Sequence, residues 1–146
     1  MAKKASDITK FTPKTWVDIG ERLVGSILQR TFVDGKDWAG KRFKKYSDSY
    51  REFRQKKGRN TNTVDLTFTA KTRRNLRRRR TTKSGVELGW NQRGNIIESQ
   101  EDLGRTVLKP KTGLSKSEEK IVEEGLGRFV DKQIRKYTSE TVTVKI

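Results

Sequence analysis

The chain of 146 residues contains no cysteine and no histidine. Without thiols it has no disulfide framework, thiol nucleophile or thiolate metal site, and without imidazole it has no His base and no His-ligated zinc. Apolar residues are scarce at 30%, enough for one small core and no second domain. No run of eighteen apolar residues occurs, and Met1 to Lys10 is too polar for a secretory signal, so a soluble intracellular product with no membrane partner is expected. Neither a GxxxxGK[ST] loop nor a GxGxxG fingerprint is present, and no internal repeat. Carboxylates are the remaining route to chemistry. Glu118, Glu119, Glu123 and Glu124 fall at a helix start, and Glu98, Glu101 and Asp102 lack a metal-like spacing. The expectation is a non-enzymatic protein with no catalytic residues, no cofactor and no metal.

Negative charge is also scarce, in one place. From Lys41 to Arg80 sixteen Lys and Arg face only Asp48, Glu52 and Asp65, giving +13 of the total +17 and leaving each flank near +2. Charge confined to one segment between two balanced ones marks a surface addressed to an acidic partner. Its candidate assembly or DNA-contact residues are Lys44, Lys45, Arg51, Arg54, Lys56, Lys57, Arg73, Arg74, Arg77, Arg78, Arg79 and Arg80.

Periodicity places the elements. Residues 1–11 read as a flexible basic arm, 12–137 as one α+β domain, and 138–146 as a C-terminal strand or arm. Thr12-Pro13 starts a helix, and Trp16, Ile19, Leu23 and Ile27 form its apolar stripe through Arg30. Tyr46, Tyr50 and Phe53 share one face of a short helix, with Lys45, Arg51, Arg54 and Lys56 on the other. Packed inward, the aromatics leave the cations hydrated; turned outward, they offer stacking platforms to a nucleic-acid strand. Val64, Leu66 and Phe68 alternate with polar residues as a half-buried strand does. Leu76 to Thr82 and Val86 to Trp90, linked through Gly85, predict a hairpin with Arg77 and Arg79 on one face and Arg78 and Arg80 on the other. A helical or disordered tract is the alternative for the four arginines. Arg93 to Leu103 suits a short helix, and Ser115 with Glu118 is a capping box opening a helix over Lys116 to Lys136. Val142, Val144 and Ile146 form a candidate inter-subunit strand. The expected architecture is α+β: an antiparallel sheet with an N-terminal and a C-terminal amphipathic helix packed on one face.

Several of these segments, in this order, resemble the virion morphogenesis, or tail-completion, proteins of tailed bacteriophages. The similar stretches are Gly35-Lys36-Asp37-Trp38, Tyr46-Ser47-Asp48-Ser49-Tyr50, Leu66-Thr67-Phe68-Thr69-Ala70 with Asn75-Leu76 after it, Val86-Glu87-Leu88-Gly89 and Gly113-Leu114-Ser115. The resemblance covers about Thr12 to Ile134, departing at Asn91 to Gln100 and at Arg105 to Leu108. It implies a structural protein of the virion neck, assembled in the host cytoplasm into a sixfold ring that joins head connector to tail. Its partners would be copies of itself and the connector, adaptor and tail proteins, with non-specific DNA contact as a second use of the basic segment. The alternative from a different class is a basic nucleic-acid-binding module that uses Arg73 to Arg80 as a phosphate strip.

Overall fold

The computed structural model describes residues 11–67, 70–90, 94–110 and 113–141. Among them, α1 (Pro13–Leu28) begins as its sequence dictates: the Thr12 hydroxyl accepts the Thr15 N–H, and Pro13 occupies the first turn, where a missing N–H costs nothing. Ile19, Leu23 and Ile27 are buried. The helix then widens into a π-helical turn, Gln29–Val33, closed by the Asp34 N–H on the Gln29 carbonyl at 2.9 Å. The extra residue in that turn lets three successive side chains, Arg30, Thr31 and Phe32, all turn inward.

An antiparallel hairpin of β1 (Leu76–Thr81) and β2 (Val86–Trp90) forms the sheet. It lies on one side of α1, and α5 (Lys116–Thr141) packs on α1. Two glycines set these contacts. A Cβ at Gly20 would meet Val86 at 2.9 Å, and one at Gly125 would meet Ile19 at 2.6 Å, so each lets its partner approach to backbone distance. Trp16 and Trp90 pin the hairpin by donating their indole N–H groups to the Lys83 and Thr72 carbonyls, both at 3.0 Å. The architecture is α+β, as patterning predicts, with α1 lying between α5 and the sheet.

A second apolar cluster lies beyond the π turn. Phe32, Phe43, Val64, Ile97 and Val107 are its buried members, drawn from the turn, three loops and the short helix α4 (Gly94–Asp102). The remaining helices are α2 (Asp48–Lys56), capped by Ser47, and a single turn, α3 (Lys71–Arg74).

Three expectations change. No strand forms at Val64 to Leu66: the Asp65 carboxylate accepts the Thr67 N–H at 2.9 Å and receives Arg54, and Leu66 takes a left-handed backbone at φ 51°. That local turn replaces a ladder with side-chain bonds, while Val64 still enters the core. Phe11, placed in the arm by its sequence, packs its ring on Trp16 and Phe129, with centroids 6.0 and 5.4 Å apart. The final helix runs on to Thr141, past the expected end at Lys136. Val142, Val144 and Ile146 lie outside the described residues, as does Phe68.

Candidate functional site

The capping box closes as predicted. Ser115 Oγ accepts the Glu118 N–H at 3.3 Å, and Glu118 Oε2 accepts the Ser115 N–H at 2.7 Å. The sequence did not reveal that this carboxylate, 0% exposed, also meets Arg30. Arg30 Nε donates to Oε1 at 2.8 Å and Nη2 to Oε2 at 3.4 Å, while Nη1 donates to the carbonyls of Val107 at 3.0 Å and Lys36 at 3.3 Å. One guanidinium thus joins the end of α1, the Lys36 turn, the Val107 segment and the start of α5.

The basic segment separates into interior and surface residues. Arg54, expected on the hydrated face of α2, is 1% exposed. Its guanidinium donates to Asp65 Oδ1 at 3.2 Å and to the Asn60 carbonyl at 3.0 Å, and lies over the Tyr46 ring at 4.8 Å. Tyr50 and Phe53 are exposed, the outward of the two orientations the sequence left open, while Tyr46 is half-buried and Arg51 and Lys56 stay on the surface. Burial of Arg54 follows from pairing: a buried cation with a carboxylate, a carbonyl and a π face is satisfied. Arg105 is buried in the same way, bonding the carbonyls of Lys44 at 2.8 Å and Lys45 at 3.1 Å and lying 5.1 Å from the Tyr46 centroid. Arg51 pairs with Asp48 at 3.0 Å on the surface, Lys57 lies 6.0 Å from the Phe53 ring, and Lys56 and Arg74 are exposed.

β1 carries the largest departure from simple patterning. Arg77 pairs with Gly89, Arg78 with Leu88, Arg80 with Glu87 and Thr81 with Val86, so Arg79 is an inserted bulge residue. Cross-strand partners share a face. Val86 faces Gly20 of α1, and Arg78 lies beside it, reaching Glu21 at 3.2 Å. Glu87 and Gly89 therefore face outward, with Arg77 and Arg80 opposite them. Arg79 joins this side, since a Cβ at Gly89 would meet its Cδ at 2.9 Å and Glu87 lies 3.6 Å from its Nη1. Three arginines share the outer face, where strict alternation predicts two on each side. Only Arg79 among them has a carboxylate partner within the described residues.

A groove of about 890 Å³ opens between α2, residues 66, 67 and 70–73, and α4. Lys44, Lys45, Lys71 and Arg73 line it without carboxylate partners among the described residues, and its one acidic lining residue, Asp48, is held by Arg51. Leu66, Ile96 and Leu103 supply aliphatic surface, and Leu103 is 55% exposed. Tyr46 forms part of the wall, but its hydroxyl is buried with no partner at hydrogen-bonding geometry among the described residues. Burial pushes its pKa above the ordinary 10.0, opposed by the positive charge of Arg54 and by the nearby Leu66 backbone. Sequence patterning marked Lys44, Lys45 and Arg73 but not Lys71, Leu103 or Arg105, which lack a periodic signal and meet only through the fold. No helix among the described residues is long and apolar enough to cross a membrane.

Compared with protein-family models, curated proteins and solved structures, the chain shows no significant match.

Proposed function

We propose that the protein is a structural component of a bacteriophage virion, of the neck or tail-completion type, which builds a sixfold ring joining head connector to tail. The observation carrying this reading is the outer face of the hairpin, where a bulge gathers Arg77, Arg79 and Arg80 on one side of a strand anchored to α1. A rigid, one-sided cationic face suits docking on an acidic rim of a neighbouring ring. A channel that must let DNA slide is poorly served by dense arginine, so the face is assigned to a protein partner. Further support comes from where the family-like segments fall. Gly35 takes φ 63° where a Cβ would meet the Val64 carbonyl at 2.6 Å, Gly89 makes room for Arg79, and Ser115 caps α5 beside the Arg30–Glu118 pair.

Sedimentation velocity and negative-stain microscopy of the purified protein, alone and with its connector, should reveal discrete rings, and particles from the encoding genome should contain it. A protein that stays monomeric at every concentration and is absent from particles overturns the proposal. The three-arginine face also favours a second reading, a strip contacting DNA phosphates. Three neutralised phosphates give a log–log salt slope near −2.7, or about a 40-fold loss of affinity between 50 and 200 mM salt. A salt-independent affinity, or one unchanged in the Arg77→Ser/Arg79→Ser/Arg80→Ser variant, rules that strip out.

A further inference from the structure

The groove between α2 and α4 is a different surface from the hairpin face, as none of Arg77, Arg79 and Arg80 lines it. Two features single it out. Leu66 and Ala70, the non-glycine residues with positive φ among those described, at 51° and 62°, both line its wall. Left-handed backbone is unfavourable for residues with a side chain and tends to be retained at ligand clamps. The groove also combines unpaired cations, Lys44, Lys45, Lys71 and Arg73, with aliphatic surface from Leu66, Ile96 and Leu103. We propose that it receives an acidic segment of a protein partner, with carboxylates on the lysines and Arg73 and aliphatic side chains against Leu66, Ile96 and Leu103. This goes beyond the ring-building reading and does not depend on it.

The wall chemistry favours a peptide over a single nucleic-acid strand. A strand needs free aromatic faces for its bases. Here the Tyr46 ring is occupied by two guanidiniums, Arg54 at 4.8 Å and Arg105 at 5.1 Å, and Tyr50 stacks on Phe53 with centroids 6.1 Å apart. Among the described residues the remaining apolar surface, from Leu66, Ile96 and Leu103, is aliphatic, which fits Leu, Ile or Val side chains. A peptide also meets the cations with carboxylates spaced along its backbone.

The test is selection of a random 12-residue peptide display library on the immobilised full-length protein, followed by binding of the enriched sequences as fluorescein-labelled synthetic peptides. Enriched peptides should carry several Asp or Glu with at least two aliphatic residues. Their affinity should fall at least tenfold in Leu103→Glu and in Lys44→Glu/Lys45→Glu, both at exposed positions and checked for folding by circular dichroism. It should be unchanged in Arg77→Ser/Arg79→Ser/Arg80→Ser. Lysine-for-glutamate peptides should regain binding to Lys44→Glu/Lys45→Glu, which a merely unfolded variant cannot do. The proposal is overturned if no enriched peptide depends on these groove residues, or if labelled dT12 binds the groove more tightly than the best peptide and displaces it. Ring formation is measured separately, so either proposal can fail while the other stands.

Discussion

Replacing Arg30 with Met tests whether one buried ion pair holds the two halves of the core together. Glu118 is fully buried, and its two oxygens take Arg30 at 2.8 and 3.4 Å and the Ser115 N–H at 2.7 Å. Removing the guanidinium leaves an uncompensated buried carboxylate, which costs about 3–5 kcal/mol, and also strips donors from the Val107 and Lys36 carbonyls. In a chain of this size the melting temperature should fall by about 6–20 °C. Because a domain of this kind is stable by about 5–15 kcal/mol in total, the single variant should lose a large share of its margin. Glu118→Leu should cost a similar amount, since it orphans Arg30 and removes the cap. The double variant replaces both charges with apolar side chains and avoids the stranded charge, so its loss should be smaller than the two single losses combined by about 2–3 kcal/mol. Urea unfolding of the four proteins gives the cycle. A loss below about 1 kcal/mol in Arg30→Met, or strict additivity, refutes the assignment of this pair as a joint between segments.

Three further outcomes are expected. Tyr46→Phe should stabilise the protein by about 1 kcal/mol by removing an unpartnered buried hydroxyl, and a clear loss in thermal unfolding would mean that the hydroxyl has a partner. Since burial raises the Tyr46 pKa, the unfolded chain ionises first above pH 10; the stability from the neutral phenol is complete below that pH and lost as pH rises through the folded value. Absorbance titration should show a tyrosine that ionises late, and a titration with no late component contradicts this. In α5, Gly125→Ala should destabilise by about 1–3 kcal/mol because Ile19 stands 2.6 Å from the added carbon, whereas Gly127→Ala, with open space around it, should stabilise by about 0.5–1 kcal/mol; equal effects would refute the α1–α5 packing. Gly35→Ala should cost more than about 2 kcal/mol, combining φ 63° with a 2.6 Å approach to the Val64 carbonyl, and an unchanged urea midpoint argues against that turn.

Elements specified by near neighbours were legible in the sequence. Thr12-Pro13 and Ser115 with Glu118 are caps whose partners lie three residues away, and the hairpin is marked by Gly85 between two extended runs. What escaped depends on distant partners. Arg54 reads as a surface cation because neither the Asp65 turn nor the Tyr46 ring can be placed beside it from spacing alone. The same carboxylate removed the Val64 strand by bonding Thr67. Thr31 and Phe32 follow a helical stripe that predicts only one of three successive side chains to be buried; the π turn lets all three enter. Of the groove, the concentrated basic charge marked Lys44, Lys45 and Arg73, but its aliphatic wall joins Leu66 to Ile96 and Leu103, which no local pattern links.

The bulge in β1 also acts as a phase shift. With all residues kept and the ladder regular, Arg80 would stand opposite Val86, on the side that faces Gly20 of α1. The inserted Arg79 returns Thr81 to that place and moves Arg80 to the outer side. Deleting Arg79 would leave the remaining pairs in register, with Thr81 still on Val86 and two arginines outward in place of three. The strength of this surface can therefore change by one full charge through gain or loss of a single codon, while the packing of the hairpin on α1 stays the same. A strand built this way lets a lineage retune the charge of one surface without reworking its core.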